Sequence, residues 1–481
     1  MWFAAAVWRG LKPQQNLKKV DSMSLTNTLI EFCSKLTYDQ IPPEVTEVQK
    51  TALIDALSVM VAATRLEPAC RKFTSYAKRY SGPGRSTLLG AEAKVSAPMA
   101  ALANGALSHA MDFEDSHDTA FVHSNAVSVP ALLAVAEEIG GVTGKDLITA
   151  MVIASEMTCR LSGAQKEDLL QYGWYMPPIH GAMGTVLAIS RLLHFDSDQT
   201  LDALAILMNS YTCSGESVNS KRSVVRLVRD GFAAYAAVSA CLMAREGIEA
   251  RFETPLEGDK GYYAAYARGE YSENKVIDGL GRIWESGKIS FKPWPCCRAT
   301  HVTIGLLREV LKKPEIRPEE IVEIHLKVSE ILRMVLEKRE IKYHPQSVMN
   351  AKMSLPFAVG LVLTDGDVTL ASFRPERLND ERVIHGGELV TYEIDENLTR
   401  DHAQKVEMTI RLRDGSRHTS SAEHALGSRE TPMTRTDSYA KYEDCMGYSQ
   451  KEKVSRNVDV IFQKLTELEA CDDVRELMEM L

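Results

Sequence analysis

A chain of 481 residues with 45% hydrophobic and 25% charged side chains carries enough apolar surface for more than one core, so two domains are expected. Its formal net charge of -9 comes with basic residues scattered among acidic ones, with no aromatic-interleaved basic stripe, which excludes nucleic acid as an expected partner. No run of about 18 apolar residues reads as a membrane span, and the nine cysteines are too sparse for a disulfide framework, so a reducing, cytoplasmic setting is expected.

The first twenty residues, MWFAAAVWRGLKPQQNLKKV, lack acids and carry Arg9, Lys12, Lys18 and Lys19. This keeps a mitochondrial address open, but Ser and Arg are scarce, and residues 1–23 read as an N-terminal extension. From Ser24 the apolar residues recur at three- and four-residue steps, so SLTNTLIEFCSKL and PPEVTEVQKTALIDALSVMVAAT read as core helices. Small-residue segments at 96–110, 145–161, 181–193, 200–207 and 232–245 are expected to be helices that approach one another closely. Residues 24–290 thus read as a large all-helical domain. The texture then changes. A helix running through Leu311 is followed by IVEIHLKVS, which alternates like a strand, and HPQSVMNAKMSLPFAVGLVLTDG reads as one helix ending in a turn. KVEMTIRLRDGSRHTSSAEH reads as two strands joined at Asp414 and Gly415. Residues 291–430 therefore form a smaller α+β domain, and residues 431–481 a C-terminal helical segment returning to the first. The expected fold is mainly α.

Four stretches carry candidate chemistry. HAMDFEDSHDTAFVHSNAVSVP, His109 to Pro130, sets Asp112, Glu114 and Asp115 among His109, His117 and His123, and reads as a loop facing a cavity. Carboxylates that share a cavity raise one another's pKa, which suits one of them to general acid or base work. YGWYMPPIHG puts Tyr175 and His180 at a helix N-terminus, where anions bind. KRSVVRLVRDGFAA carries Lys221, Arg222, Arg226 and Arg229, and the last two are spaced to grip a carboxylate from one helix face. FKPWPCCRATH lies at the domain junction, where Pro293 and Pro295 stiffen the chain that presents Lys292 and Cys297. Bland readings compete with each: a solvated loop, packed aromatics, or solvated helix charges. Adjacent Cys296 and Cys297 suit a pocket thiol better than a metal site. No C-x-x-C, H-E-x-x-H, G-x-x-x-x-G-K or strand-linked G-x-G-x-x-G occurs, so neither a metal nor a cofactor is expected.

ANGALSHAMDFEDSH, FKPWPCCRATH and MSLPFAVGLVL, in this order, resemble the MmgE/PrpD family of 2-methylcitrate dehydratases, cis-aconitate decarboxylases and iminodisuccinate epimerases. The D-x4-H-x5-H spacing from Asp112 through His117 to His123 is similar to the fungal decarboxylase type. The resemblance implies a helical domain with a smaller lid domain, an active site in the cleft between them, and a homodimer. It makes Asp112, His123, Tyr175 and Lys292 catalytic, and Ser116, His117, Arg226, Cys297 and His301 substrate-binding. By the same resemblance, Tyr175 stands where the decarboxylases carry a second active-site His, and Arg226 where they carry a Lys. The implied activity is that of a cofactor-independent lyase on a small di- or tricarboxylate, with His123 moving a proton under the support of Asp112. Two-base epimerisation, or a binding protein that has lost the chemistry, are the alternatives.

Overall fold

The Ser24 hydroxyl accepts a hydrogen bond from the Asn27 amide and so starts the first helix, α1 (Leu25–Lys35), as an N-cap serine does. The computed structural model describes residues 23–220, 223–398, 402 and 404–481. The expected extension lies outside them apart from Met23, as do Lys221 and Arg222. After α1 come α2 (Pro43–Leu66), α3 (Pro68–Tyr80), α4 (Ala97–Ala110), α5 (Ser124–Ile139), α6 (Gly144–Gly163), α7 (Pro177–Leu192), α8 (Ser197–Ser210), α9 (Glu216–Asn219) and α10 (Val225–Arg245). These helices, α9 apart, share one apolar core, joined by Tyr442, Cys445, Ile461, Leu465 and Leu477 from the C-terminal helices.

The pair that positions the site is α4 and α10. A Cβ at Gly231 would sit 2.4 Å from the Leu102 carbonyl oxygen, and one at Gly105 would sit 2.7 Å from the Gly231 Cα. The two backbones therefore touch where each lacks a side chain. This holds the helix bearing Arg226 and Arg229 against the helix that leads into the His109 segment. By length and composition α10 would also pass for a membrane span, but 67% of its apolar window is buried inside the protein, which is the position of a core helix.

The polar loop expected from His109 to Pro130 is shorter than that. Helix α4 runs through Ala110 and α5 starts at Ser124, leaving 111–123 between them. Pro130 lies inside α5 and supplies no amide to the Ala126 carbonyl. The Ser108 hydroxyl takes that place, donating to the Ala126 oxygen at 2.6 Å.

The second core belongs to the α+β part. Two-residue strands β1 (Ser86–Thr87), β2 (Lys94–Val95), β3 (Ser116–His117) and β4 (Ile289–Ser290) precede its sheet, made of β5 (Ile321–Val328), β6 (Val390–Ile394), β7 (Val406–Leu412) and β8 (Arg417–Ala422). The order is β6-β5-β7-β8, with β5 and β6 parallel and the other pairs antiparallel. Ile324, Leu326 and Val328 of β5 face the core, as its alternation requires. The helix read as continuous from His344 is instead two, Val348–Lys352 and Leu355–Asp365. Ser354 caps the second by accepting from the Phe357 amide at 3.0 Å, and Pro356 fits its first turn, where no amide partner is needed.

Candidate active site

Strand β3 pairs with β4, Ser116 opposite Ser290, and this brings the segment after α4 alongside the extended stretch beginning at Phe291. Arg298 locks the seam, contacting Asp118 through Nε and Nη2 at 3.0 Å each and donating to the Leu426 carbonyl at 2.7 Å. Between these fastenings Lys292 is fully buried. Its Nζ lies 2.5 Å from Asp112 Oδ1 and 3.1 Å from the Asp112 carbonyl. Asp112 reaches it from a left-handed backbone conformation, φ 50°, which Asp tolerates better than most residues. Burial alone would push the Asp112 carboxyl up, but Lys292, opposing Glu114 and helped by His109, holds it below the usual range.

Glu114 is the hub. Its Oε1 accepts from His109 Nδ1 at 2.5 Å, lies 3.2 Å from His123 Nδ1 and 3.8 Å from Lys292 Nζ. Burial is outweighed by His109, Lys292 and His123, so this carboxyl is held well below its ordinary value. The other oxygen, Oε2, is buried with no hydrogen-bond partner among the described residues.

His123 precedes α5. Its Nδ1 lies 2.8 Å from the Asp115 carbonyl, and a carbonyl only accepts, so Nδ1 carries the hydrogen and the neutral ring keeps its lone pair on Nε2. Burial pulls the ring's pKa down to about 4, with Glu114 opposing the fall and Lys292, His109 and Arg229 adding to it. The result is a neutral imidazole with a fixed tautomer, a base rather than an acid. The carboxylate that faces it is Glu114; the expected partner, Asp112, is committed to Lys292.

Arg229, on α10, is 2% exposed. Its guanidinium lies 4.7 Å from the Tyr175 ring centroid, and its Nε has no hydrogen-bond partner among the described residues. Burial would lower its pKa, yet Tyr175, Asp230 and Glu114 raise it, so the charge stays. Its Nη1 donates to the Arg226 carbonyl and Nε lies 3.7 Å from Asp230 Oδ2, and the Nε donor without a hydrogen bond suits a carboxylate ligand. Tyr175 joins the cluster through this contact, and its amide donates to the Cys213 carbonyl at 2.9 Å. Arg226 turns elsewhere, within electrostatic reach of Cys297 and Lys342. The Cys297 thiol is pushed up by burial and by Asp112, against Lys292 and Arg226, and its amide donates to the Lys352 carbonyl at 2.9 Å.

The other candidates stand apart. His117 Nδ1 accepts from the Ala120 amide at 3.1 Å and its Nε2 lies 3.2 Å from Glu285, a contact that, as the largest influence, helps bring the Glu285 carboxyl down to about 2. The turn after β3 thus engages Nδ1, while Nε2 faces the Glu285 carboxylate in the segment before β4 without making a hydrogen bond among the described residues. His301 directs Nε2 at the Cys296 carbonyl, 3.1 Å away, and burial, with Arg298 and Lys292, keeps its ring neutral. It braces the Cys296 turn and offers no cation to a carboxylate. Ser116 is buried with its hydroxyl unpartnered among the described residues. His180 is fully buried between Gln165 and Tyr262.

Asp115 accepts from Ser124 and Asn125 at 3.3 and 3.2 Å, while burial, Asp55 and Glu114 push its pKa up to about 7. A folded value above the ordinary 3.8 means stability that is full at low pH and is lost as pH climbs to about 7. The penalty is complete at pH 8. Asp115→Asn is expected to stabilise the protein at pH 8 by about 2–4 kcal/mol and by less at pH 5. Urea unfolding at both values checks this; a variant weaker than wild type at pH 8 contradicts it.

Among the described residues, His109, Glu114 and His123 offer metal-ligating atoms within 4.8 Å of one another. The Lys292 ammonium, 3.8 Å from the same carboxylate oxygen, opposes a further cation there, so the cluster reads as imidazoles anchored on a carboxylate. A surface cleft of about 1050 Å³ lined by Lys50, Arg282, Arg429 and Arg435 contains none of these groups.

Residues 27–274 match the MmgE/PrpD N-terminal domain, and residues 294–467 match the MmgE/PrpD C-terminal domain. The chain belongs to the MmgE/PrpD family. The two matched domains of the MmgE/PrpD pair meet at the Lys292 segment, which falls between them. Similar curated proteins include the cis-aconitate decarboxylase of Aspergillus terreus, 26% identical over 486 residues, covering 95% of this chain and 96% of that one. The Mus musculus cis-aconitate decarboxylase is 25% identical over 468 residues, covering 95% and 93%, and the Homo sapiens enzyme 24% over 466 residues, covering 95% of each. Lyase chemistry of the MmgE/PrpD kind is the class that the family and these names support.

Around this cluster, Glu114, His109 and Arg229 stood among the sequence candidates but outside the set to which the resemblance gave roles, and Lys342 was in neither. Arg229 had a signal in its three-residue spacing from Arg226. Glu114 and His109 had only their place in the dense segment, and Lys342 had none.

Proposed function

We propose that this chain is a cofactor-independent lyase acting on a small di- or tricarboxylate, by loss of CO2 or water next to a carboxylate. The observation that carries the reading is His123. Its Nδ1–H is held by the Asp115 carbonyl with Glu114 beside it, its Nε2 lone pair is left for substrate, and buried Lys292 and Arg229 lie within electrostatic reach. For loss of water such a base takes a proton from carbon, while the cations hold the substrate's carboxylates and the negative charge that develops beside them. A bound polycarboxylate also raises the pKa of the His123 ring by supplying nearby negative charge. The proton so taken goes to the departing hydroxide, and for loss of CO2 the electron pair left by the broken C–C bond takes a proton from the His123 ring, protonated once the ligand has raised its pKa, or from Tyr175. Lys292 and Arg229 are the carboxylate ligands of this reading, with Tyr175 as second acid or base and Arg226 and Cys297 at the far side.

The relatives' names make cis-aconitate the first substrate to try. Purified protein incubated with cis-aconitate, citrate, 2-methylcitrate or iminodisuccinate, with EDTA present, is expected to turn over at least one, with CO2 released if cis-aconitate is the substrate. Tight binding of one ligand without turnover of any would favour a binding protein. Activity on iminodisuccinate alone would favour the two-base epimerase. Loss of activity on adding EDTA would overturn the metal-free reading.

A further inference from the structure

Helix α4 ends at Ala110, and the carbonyls that follow have no helical amide to accept from. Three buried lysines claim three of them in succession. Lys352 Nζ donates to the Met111 carbonyl at 2.6 Å, Lys292 Nζ to that of Asp112 at 3.1 Å, and Lys441 Nζ to that of Phe113 at 2.6 Å. A helix C-terminus presents the negative end of its dipole, so this is a place where buried ammonium groups are tolerated. The first two lysines come from the α+β part, whereas Lys441 lies on the helix Arg435–Met446 of the C-terminal segment. We propose that Lys441 is a positioning residue of the active site, which by holding the Phe113 carbonyl sets where the next two residues meet His123. The inference deepens the lyase reading by naming a residue that orients its base, and the state of that ring can be read without substrate.

Glu114 stands between two fixed points of backbone. On one side the Phe113 carbonyl is held by Lys441; on the other, Ser116 pairs with Ser290. Between them the chain supplies both partners of the His123 ring: Glu114 Oε1, 3.2 Å from Nδ1, and the Asp115 carbonyl, which accepts from Nδ1 at 2.8 Å. Without the Lys441 contact one anchor remains, and a displacement of about an ångström is enough to misplace a catalytic base. The competing role is structural, since Lys441 Nζ also lies 2.5 Å from Asp55 Oδ1 on α2. That pair is poorly completed. Asp55 Oδ2 is buried without a hydrogen-bond partner among the described residues, and burial keeps the carboxyl above its ordinary value against the pull of Lys441. A buried pair of this kind contributes little net stability. The contact with Phe113, whose carbonyl accepts from Nζ and whose ring centroid lies 3.9 Å from it, is the one that burying the ammonium serves.

Lys441→Met alone strands the Asp55 carboxylate, so the decisive variant is the double one, Asp55→Asn/Lys441→Met. It is compared with Asp55→Asn, which leaves the ammonium on the Phe113 carbonyl. Nitrogen NMR of the histidine rings in the full chain at pH 7 is expected to show His123 as the single Nδ1–H tautomer in the wild type and in Asp55→Asn, and as a mixture of tautomers in the double variant. Turnover of cis-aconitate is expected to be about ten- to hundredfold slower in the double variant alone. A double variant that does not fold, that keeps the wild-type ring spectrum or that keeps the wild-type turnover overturns the inference and leaves the lyase reading in place, as does a ring altered equally by Asp55→Asn. A wild type that turns over no carboxylate overturns the lyase reading, and the ring spectra still decide the role of Lys441.

Discussion

Lys292→Met is expected to cost the folded protein about 3–5 kcal/mol at pH 8 and to lower kcat/KM about 10²–10³-fold. The side chain is fully buried, and its Nζ sits 2.5 Å from Asp112 and 3.8 Å from Glu114. Both carboxyls are below their ordinary values although burial pushes them up, and Lys292 is a leading cause in each case. A depressed folded pKa gives stability that is present above the ordinary carboxyl value and is lost as pH falls through the folded one. Methionine fills a similar volume but removes the cation in contact with Asp112, leaving the two carboxylates to the imidazoles and to Arg229 and Lys352, so burial weighs more and both pKa values move up. The variant's deficit should then be largest at pH 8 and shrink at pH 5, as the stranded groups take up protons. Urea unfolding at the two pH values, run beside steady-state kinetics, checks both halves. An equal deficit at both pH values contradicts the electrostatic account, and unaltered kinetics remove Lys292 from the mechanism.

Periodicity made the helical body legible, because α1, α2 and the small-residue helices bury one face each and their apolar spacing says so. The alternation of IVEIHLKVS and the Asp414–Gly415 turn did the same for β5, β7 and β8. The parallel strand β6 was not legible, since its five residues include polar Thr391, Tyr392 and Glu393 on partly open positions. The break at Ser354 carried a local signal, a capping serine two residues before proline, that the surrounding apolar run concealed. At the site, motif resemblance named Lys292, His123 and Asp112, and the structure sets the three in one cluster, but the carboxylate beside His123 is Glu114, while Asp112 contacts Lys292. Which of Asp112, Glu114 and Asp115 faces the imidazole depends on a single left-handed residue: φ 50° at Asp112 accompanies its carboxylate's contact with Lys292, leaving Glu114 to the imidazoles. No spacing rule contains that turn. His117 and His301 were persuasive for a similar reason, because sequence shows a histidine but not the amide that meets His117 Nδ1 or the carbonyl that meets His301 Nε2.

His123→Ala is expected to lower kcat/KM about 10²–10⁴-fold with the fold intact, since the ring lies at the rim of the cluster with its side chain 19% exposed. In the wild type the ring's pKa is brought down to about 4, so the free enzyme holds it neutral above that value. The base is lost only as pH falls through about 4, which puts the acid limb of kcat/KM there rather than near the ordinary histidine value of 6.5. The carboxylate that tunes it can be identified by substitution. Glu114 opposes the downward shift in His123, so Glu114→Gln should move the limb to still lower pH and reduce kcat, because the ring also loses the carboxylate beside its Nδ1–H. Asp112→Asn should leave the limb where it is and act mainly through Lys292. Ring-proton NMR of His123 in the three proteins separates these effects from any change in rate-limiting step. A limb near 6.5 in the wild type, or one that moves with Asp112 and not with Glu114, would return the orienting role to Asp112.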